Sequence, residues 1–392
     1  MQIEENPQAI VCFAGNYWWY HNRGLFCPQV MRRLAQDHRV LFVNSLGMRV
    51  PSFRKDKHAL RKILRKLQSI CRFLRRTEEG MFVLSAISLP LLGSTLGRKL
   101  NTSFVAVQVR LVMWFLRMRQ PVFYINCLPA LDVIRDWSRQ LLIYERTDLF
   151  EEMPGVDRQY VAALDHELTK SADLALYVNR QLFEQGLKVN ENSLLVGHGV
   201  DVELFRSAAA NPEMPADMAE IRRPIVGFFG DISDKTSDFA LLEFAARKLP
   251  DVSFVLVGPM GADVAELRRC PNVHFLGPRP YQQIPHYGAG FDVAMMPWNQ
   301  NRWIEFCNPI KLKEYLALGK PVVTTYYPEI EPYKDVVNIA RDYEEFVAGI
   351  RTALAEDDHE KVDRRRDMVR NETWDNKVSV IRGFIEEHKP QT

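Results

Sequence analysis

The sequence lacks the short motifs that identify several classes of enzyme. It contains no GxGxxG fingerprint, no HExxH or HxxxH pair, no DxD triplet and no GxSxG elbow. Its six cysteines form no CxxC pair, which is typical of a reduced cytosolic protein without structural zinc. We therefore expect no dinucleotide cofactor, no protein nucleophile and no resident metal, and any divalent ion would arrive with a substrate.

A large net charge and a long apolar run are missing as well. The net charge of +2 over 392 residues gives the whole chain no nucleic-acid signature. The apolar stretch Phe104–Met118 is interrupted by Gln108 and Arg110 and is too short to span a membrane. The acidic N-terminus, Met1–Asn6, has no signal-peptide apolar core. These features predict a soluble, cytoplasmic protein without a transmembrane anchor.

Basic charge is concentrated in one segment, Arg54–Arg76. The segment contains ten Lys or Arg residues and one Asp, and its apolar residues recur at helical i, i+3, i+4, i+7 spacing. A basic amphipathic helix suits the anionic inner face of the cytoplasmic membrane, where each cation contributes about 1 kcal/mol. A helix packed on the core with a solvated basic face is the alternative. We predict peripheral association with that membrane surface.

Short apolar runs alternate with helix-like stretches along the chain. Continuous apolar runs are typical of strands covered on both faces, and their alternation with helices predicts an α/β protein with doubly wound parallel sheets. The predicted strands are 9–15, 39–45, 81–86, 121–126, 141–146, 174–179, 193–199, 225–230, 252–259, 273–277, 292–298, 322–326 and, more weakly, 336–340. Two such sheets imply two Rossmann-like domains whose ligand-binding edges face each other across a cleft.

The domain boundary is predicted at 207–223. This stretch is rich in Ala, Pro and charge without strand periodicity, which is typical of a linker between domains 1–206 and 224–373. The tail 374–392 has apolar residues at helical spacing. We predict that it forms a helix that docks back on the N-terminal domain.

The most informative segment is 308–323. It starts as a polar loop, continues as a short helix, and stops at Gly319 before Pro321 and a new apolar strand. Lys311 and Glu314 are three residues apart and therefore lie on the same side of that helix. A carboxylate accepts hydroxyl protons, while an ammonium and a helix N-terminus attract phosphate, so the pair suits a sugar-phosphate ligand. An ordinary surface ion pair explains the pattern equally well.

A second phosphate candidate follows the predicted strand 225–230. Gly230 allows the backbone to approach a phosphate closely, and Lys235 can reach that phosphate as a point charge. A plain strand–helix turn capped by Asp234 or Thr236 is the alternative.

Polar residues also follow strands in the first half and at the junction. Gly15–Gly24 combines aromatic rings with amides, which suits a saccharide acceptor, although a loop covering the core is the alternative. Glu145 and Arg146 suit acid–base work or acceptor binding, and a structural ion pair is an equal alternative. His198 either contacts a ligand or is merely exposed, while Asp201 is expected to cap a helix. The candidate acceptor contacts are Gly15, Asn16, His21, Arg23 and Arg146.

The segment 308–323, with the pattern N-P-x-K-x-x-E-Y-L-A-x-G-K-P-V-V, resembles the donor segment of GT-B glycosyltransferases of the glycosyltransferase 4 (GT4) type. It is most similar to the bacterial polysaccharide branch that includes teichuronic-acid-type transferases. Segments 26–43, 199–205 and 275–293 match the same branch, so the resemblance covers nearly the whole chain.

The resemblance implies the GT-B fold, with a nucleoside-diphosphate sugar donor on the C-terminal domain and the acceptor on the N-terminal domain. By analogy Glu314 bonds the ribose hydroxyls, and a charge-assisted bond of this kind is worth about 1.5–3 kcal/mol. Retention of anomeric configuration is implied, whereas an inverting enzyme would need a base such as His21, Asp148 or His198. The candidate donor contacts are Gly230, Lys235, Arg279, Asn308, Pro309, Lys311 and Glu314.

The sequence departs from the family pattern at three places. The glutamate expected eight positions before Glu314 is replaced by Phe306, with Glu305 one residue earlier. Cys27 stands where the family has arginine, and Thr147-Asp148 stands where it has an acidic pair. The candidate catalytic residues are Asp148, His198 and Glu305.

These observations predict a transferase that moves a sugar to a lipid-linked saccharide in the synthesis of a bacterial surface polysaccharide (an exopolysaccharide), with no nucleic-acid partner. One alternative is a nucleotide-sugar epimerase of the same fold, which needs no acceptor. The other is a non-catalytic nucleotide-sugar-binding scaffold of a polysaccharide assembly complex.

Overall fold

The computed structural model describes residues 8–19, 24–46, 68, 72–88, 95–153, 155–356 and 358–389. The chain divides into two compact units, one comprising 1–197 with 377–392 and the other 198–376. The stretch 207–223, predicted as a linker, belongs to the second unit, where it contains the end of one helix and the whole of a short one.

The first unit is built on an eight-stranded sheet. Its strands are β1 (Ala9–Phe13), β2 (Arg39–Val43), β3 (Leu74–Arg76), β4 (Phe82–Leu84), β5 (Val122–Ile125), β6 (Leu141–Arg146), β7 (Leu174–Tyr177) and β8 (Ser193–Leu195). They lie in the order β3-β4-β2-β1-β5-β6-β7-β8, and all neighbours are parallel except β3 and β4. The order reverses between β1 and β5, so the carboxyl ends of these strands form the ligand-binding switch point of the sheet.

Helices connect these strands. They are α1 (Phe26–Leu34), α2 (Thr95–Phe115), α3 (Ala130–Ile134), α4 (Arg158–Ser171) and α5 (Arg180–Leu187), with a 3₁₀ turn at Phe150–Glu152. Two of them begin at side-chain caps, since Asp157 and Asn179 accept hydrogen bonds from backbone N–H groups three residues later. Among the helices that the structure describes, none has both the length and the apolar character needed to cross a bilayer.

Most of the predicted basic helix, Arg54–Arg76, lies outside the described residues. Its last three residues contradict the prediction, because Leu74–Arg76 is a strand that pairs antiparallel with Phe82–Leu84. A turn closes this hairpin, and the Thr77 N–H donates to the Met81 carbonyl at 2.9 Å. A three-residue strand is too short to show alternation, so the helical spacing of the preceding apolar residues was extended wrongly across it.

The second unit is built on a six-stranded, fully parallel sheet. Its strands are β9 (Ile225–Phe229), β10 (Ser253–Val257), β11 (Val273–Gly277), β12 (Val293–Met296), β13 (Val322–Thr325) and β14 (Asn338–Ala340). They lie in the order β11-β10-β9-β12-β13-β14. All six were predicted as apolar runs, and the order reverses between β9 and β12.

Helices cover both faces of this sheet, as a doubly wound fold requires. They are α6 (Val202–Ala210), α7 (Ala216–Ala219), α8 (Phe239–Lys248), α9 (Ile284–Gly290), α10 (Arg302–Glu305), α11 (Ile310–Leu318), α12 (Tyr343–Leu354) and α13 (His359–Val369), with 3₁₀ turns at Leu267–Arg269, Tyr281–Gln283 and Pro328–Tyr333. Helices α6, α9 and α11 contribute to the core on one face, and α8 and α12 to the core on the other. The predicted C-terminal helix is α14 (Trp374–Glu387), whose residues from Lys377 onward group with the first unit.

Candidate functional site

The switch point of the second sheet is formed by two loops that hydrogen-bond to each other. One follows β9 at Gly230 and the other follows β12 at Trp298. The side-chain amides of Asn299 and Asn301 donate to the carbonyls of Asp234 and Lys235 at 2.8 and 2.9 Å. The loop after β9 is therefore held in place where a phosphate-binding loop of a parallel sheet is expected.

Neither predicted residue caps the helix that follows this loop. Helix α8 starts at Phe239, and the carboxylate of Asp238 accepts from the Leu241 N–H at 2.9 Å. Asp234 and Thr236 lie earlier, in the turn itself. The prediction placed the helix start too early because the loop between strand and helix is longer than the turn residues indicated.

Helix α11 ends as its sequence predicts. Gly319 has φ +81°, a left-handed conformation that favours glycine, and its N–H donates to the Leu316 carbonyl at 2.9 Å. The buried hydroxyl of Tyr315 accepts from the Phe229 N–H at 2.9 Å, which fastens the helix to the end of β9. The first turn of α11 is thereby positioned beside Gly230.

Lys311 and Gly230 are in close contact. A Cβ atom added to Gly230 would lie 2.6 Å from Lys311 Nζ, so the end of the lysine side chain would have to shift, and the φ of Gly230, +142°, favours glycine. The ammonium lies 4.6 Å from the ring centroid of Phe228 and 5.5 Å from that of Trp298. Burial lowers the pKa of Lys311, and the negative charge of Glu314 opposes this effect. A cation is thus held against the loop that follows β9.

Glu314 is a buried carboxyl group with a strongly perturbed pKa. Burial raises its pKa to about 7, the Tyr281 hydroxyl and Lys311 oppose the rise, and the charge of Asp201 adds to it. The Tyr281 hydroxyl donates to Glu314 Oε1 at 3.0 Å. When ionised, this carboxylate can accept hydrogen bonds from the hydroxyl groups of a ligand near the N-terminus of α11.

Lys313 differs from Lys311 although only two residues separate them. Its buried ammonium is 2.6 Å from Glu372 Oε2 and also donates to the His198 carbonyl. Lys313 therefore fixes the surrounding structure and is not a candidate ligand contact.

The two other predicted cations have partners of their own. Lys235 Nζ lies over the indole of Trp303, 2.8 Å from the ring centroid. Arg279 pairs with Asp217, and its Nε donates to the Tyr287 hydroxyl at 2.7 Å. The structure brings Gly230, Lys311 and Glu314 together, whereas the guanidinium of Arg279 is engaged with residues of α7 and α9.

The residues before α11 have mixed environments. Asn308 donates through its side-chain amide to Glu329 Oε2 at 2.9 Å, and the buried Pro309 occupies the N-cap position of α11. Glu305 is exposed at the end of α10, while Phe306, at the position of the expected family glutamate, is buried.

The junction residues His198 and Asp201 also differ in role. Asp201 caps α6, as predicted, by accepting from the Leu204 N–H at 3.4 Å. The ring of His198 is half-buried and meets the indole of Trp374 edge-on at 6.5 Å. A catalytic role for His198 stays a prediction.

The switch point of the first sheet contains a buried polar chain. The Gly15 N–H donates to Asn126 Oδ1 at 3.1 Å, and the Asn126 amide donates to Glu145 Oε1 at 2.9 Å. Burial raises the pKa of Glu145 to about 8, against the effect of the Tyr124 hydroxyl. This chain fixes the start of the loop that also carries Asn16.

Arg146 forms a buried double ion pair, with Nε 3.0 Å from Asp165 Oδ1 and Nη2 3.3 Å from Glu151 Oε2. Arg146 is only 5% exposed, so the geometry favours the structural alternative over the predicted acceptor contact. Asp148 follows β6 and is half-buried. His21 and Arg23 lie outside the described residues.

Part of the predicted aromatic loop Gly15–Gly24 belongs to the core. Trp18 is buried and its ring lies 5.4 Å from that of Phe42. Within the described residues, no cluster of three or more His, Cys, Asp or Glu side chains is placed to hold a metal ion.

Comparison with known proteins identifies the family to which the chain belongs. Residues 223–356 match the family model described as Glycosyl transferases group 1. Over 269 residues the chain is 30% identical to a Bacillus subtilis (strain 168) protein named as the teichuronic acid biosynthesis glycosyltransferase TuaH. This match covers 63% of the chain and 66% of the relative. The chain belongs to the group 1 glycosyl transferases.

Solved structures show that this glycosyltransferase has the GT-B fold. HepE of Anabaena, in complex with UDP and glucose, superposes with a TM-score of 0.66 at 15% identity, covering 97% of this chain and all of that one. Sucrose-phosphate synthase from Thermosynechococcus elongatus gives 0.69 at 14% identity over 97% and 98% of the two chains. A UDP-forming trehalose-phosphate synthase from Burkholderia vietnamiensis gives 0.65 at 14% identity over 98% of each.

Sequence reasoning assigned no role to two aromatic residues of this candidate site. Tyr281 holds Glu314, and Trp298 helps to enclose the ammonium of Lys311. Tyr281 follows a predicted strand and Trp298 is the last residue of another, so a position at the end of a strand was the available signal. Their side chains were passed over because tyrosine and tryptophan are common in cores.

Proposed function

We propose that this glycosyltransferase moves a sugar from a nucleoside-diphosphate sugar to a saccharide acceptor in polysaccharide synthesis. The observation that carries the proposal is the pair of Lys311 and Glu314 on the first turns of α11, packed against the loop at Gly230. A partly buried cation and a buried carboxyl side by side suit a ligand with both a diphosphate and ribose hydroxyls.

Each part of the donor has a matching group. Glu314 accepts the ribose hydroxyls, while Lys311 and the N-terminus of α11 attract the diphosphate. Lys235 is a second candidate cation, and Arg279 a third that would first have to leave Asp217. Because HepE is solved with UDP and glucose and with UDP-glucose, UDP sugars are the first donors to test.

The chemistry requires stabilisation of a leaving group. The bond between the anomeric carbon and the diphosphate oxygen breaks, and the nucleoside diphosphate leaves with the bonding electrons. An acceptor hydroxyl forms the new bond to the anomeric carbon and passes its proton to the departing diphosphate oxygen. Lys311 and the dipole of α11 stabilise the charge that develops on the departing diphosphate. We propose retention of configuration, with no protein nucleophile and no metal requirement.

We further propose that the acceptor is a lipid-linked saccharide bound by the first unit. The support is the name of the Bacillus relative, which is assigned to teichuronic acid biosynthesis, together with the ten cations of Arg54–Arg76. An exopolysaccharide built on a lipid carrier places the enzyme at the inner face of the cytoplasmic membrane, as a peripheral protein.

The proposal is tested by the release of nucleoside diphosphate from a panel of nucleotide sugars. Each donor is incubated with the full chain, with and without a lipid extract of a polysaccharide-producing bacterium. We expect one donor to be consumed with the extract present, and Lys311→Met to slow its turnover by about 10²-fold or more, since a single charge-stabilising group contributes that much.

Three outcomes separate the alternatives. Conversion of the donor sugar without acceptor would identify an epimerase. Donor binding without turnover under any condition would identify a scaffold. Turnover unchanged by Lys311→Met would remove the pair on α11 from the mechanism even if the transferase activity stands.

A further inference from the structure

The outer face of α2 is apolar. Of the 15 large hydrophobic residues that are exposed in the described part of the chain, seven lie on this one helix. They are Leu96, Leu100, Phe104, Val107, Leu111, Trp114 and Phe115, with exposed fractions between 40% and 79%. Apart from the adjacent pair Trp114 and Phe115, they are three or four residues apart, which places them along one side of a 21-residue helix in a stripe about 30 Å long. We call this set the α2 stripe.

The opposite face of α2 holds the helix on the first unit. Val105, Val109 and Val112 are buried. The Gln108 side chain exchanges two hydrogen bonds with the backbone of Ile87, at 2.8 and 2.9 Å. The stripe is therefore the outer face of a helix that is already packed, and a stable soluble protein rarely leaves such a face in water.

The charged residues of the segment that carries the stripe are all positive. Residues 95–120 contain Arg98, Lys99, Arg110, Arg117 and Arg119 and no Asp or Glu. Arg98 pairs with Asp157, and Arg110 lies over the ring of Trp137, while Lys99, Arg117 and Arg119 are exposed. Apolar residues flanked by cations match the boundary between acyl chains and anionic headgroups.

We propose that the α2 stripe lies flat on an anionic bilayer, with Trp114 and Phe115 at the level of the headgroups. This inference rests on the proposed membrane association and names the surface of the protein that contacts the membrane. A 21-residue helix lying in the interface can immerse its apolar side without crossing the membrane, and tryptophan favours that depth.

A second copy of the chain fits the α2 stripe less well than an anionic bilayer does. Two stripes facing each other would bring the cations of both helices together without any carboxylate from either segment. An anionic lipid surface instead supplies the negative charge that the segment lacks.

The test is sedimentation of the full chain with two kinds of vesicle, phosphatidylcholine alone and equal parts phosphatidylcholine and phosphatidylglycerol. We expect binding to the anionic vesicles, weakened by salt. The double variant Leu111→Ser, Trp114→Ser should bind at least about tenfold less tightly, because two large apolar side chains no longer leave water. The matched control is Val380→Ser, which changes an exposed apolar residue of α14 and should bind as the wild type does.

A spectroscopic arm reports the position of the helix directly. Brominated lipids quench tryptophans that enter the bilayer, so the wild type should be quenched. Trp114→Phe keeps an apolar residue and should bind equally while losing most of the quenching. Since Trp114 is 79% exposed, this variant should fold normally even if the serine variants do not.

Other results would overturn the inference. Equal vesicle binding by the wild type and the double serine variant, with binding lost on reversing the charges of Arg54–Arg76, would leave the membrane association standing but move it off α2. A dimer that the serine variant dissociates, without vesicle binding, would assign the stripe to a second copy. Nucleotide binding measured without vesicles should be the same in all these variants, so a failure there would concern the proposed function alone.

Discussion

At the scale of single residues, the buried carboxyl of Glu314 is the most sensitive feature of the donor site. Its pKa is raised from an ordinary value near 4.5 to about 7 by burial. Between these two values the folded protein holds a proton that the unfolded chain has released. The stability contributed by the protonated form is complete below about pH 4.5 and is lost as the pH rises through about 7.

This linkage predicts the behaviour of Glu314→Gln, which removes the titration while keeping the shape. The melting temperature of the variant relative to that of the wild type should increase as the pH rises from 5 to 8.5, as followed by thermal melts across the range. Glu305→Gln, at an exposed position, should show no such trend. A constant difference for Glu314→Gln would mean that the carboxyl titrates normally.

Gly230 gives a second test at residue scale. Alanine there requires φ +142° and a Cβ atom 2.6 Å from Lys311 Nζ, so Gly230→Ala should cost about 1–3 kcal/mol of stability and displace the ammonium. Gly261→Ala, where the nearest atom would be 3.7 Å away, is the control. Denaturant melts of both variants measure the difference, and similar stabilities would contradict the geometry.

At the scale of elements, the sequence predicted the strands better than the positions between them. Continuous apolar runs found every strand of the second sheet because burial on both faces leaves a clear pattern. The sequence analysis missed β3, because three residues are too few for a pattern. It also placed the start of α8 too early. The contact between Tyr281 and Glu314 joins residues 33 positions apart, and no local pattern records such a contact.

The sequence predicted helix α11 and the glycine at which it ends. The requirement for that glycine can be tested. At Gly319, with φ +81°, an added Cβ would lie 2.6 Å from Val362 Cγ1. Gly319→Ala should therefore destabilise the protein by about 1 kcal/mol or more. At Gly383 in α14 an added Cβ would meet nothing within 4 Å beyond the backbone of its own helix, so Gly383→Ala should be neutral or stabilising by about 0.5–1 kcal/mol. Equal melting temperatures for the two variants would show that the left-handed cap is not required.

At the scale of the whole molecule, the chain returns to its first unit at its end. Residues 377–392 group with that unit, where Arg382 Nε lies 2.8 Å from Asp37 Oδ2. Helical spacing predicted this helix from the sequence. The particular partners were not predictable, because they lie hundreds of residues away.

The burial pattern of α14 predicts a contrast between neighbouring residues. Ile381 is completely buried, and Ile381→Ala should cost about 2–5 kcal/mol in the free energy of unfolding. Val380 is 47% exposed, and Val380→Ala should stay within about 0.5 kcal/mol of the wild type. Urea melts of the full chain measure both, and comparable losses would contradict the placement of the helix.

The central claim is that the first turns of α11 bind a nucleoside diphosphate, and the most direct test is titration calorimetry. UDP, GDP, ADP, TDP and CMP are titrated into the wild type, Glu314→Ala and, as a control, Glu344→Ala, which changes an exposed residue of α12. We predict that one nucleoside diphosphate binds the wild type and the control equally. Its binding to Glu314→Ala should be at least about tenfold weaker, because a charge-assisted hydrogen bond is worth about 1.5–3 kcal/mol. Equal affinity of all three proteins would contradict the claim.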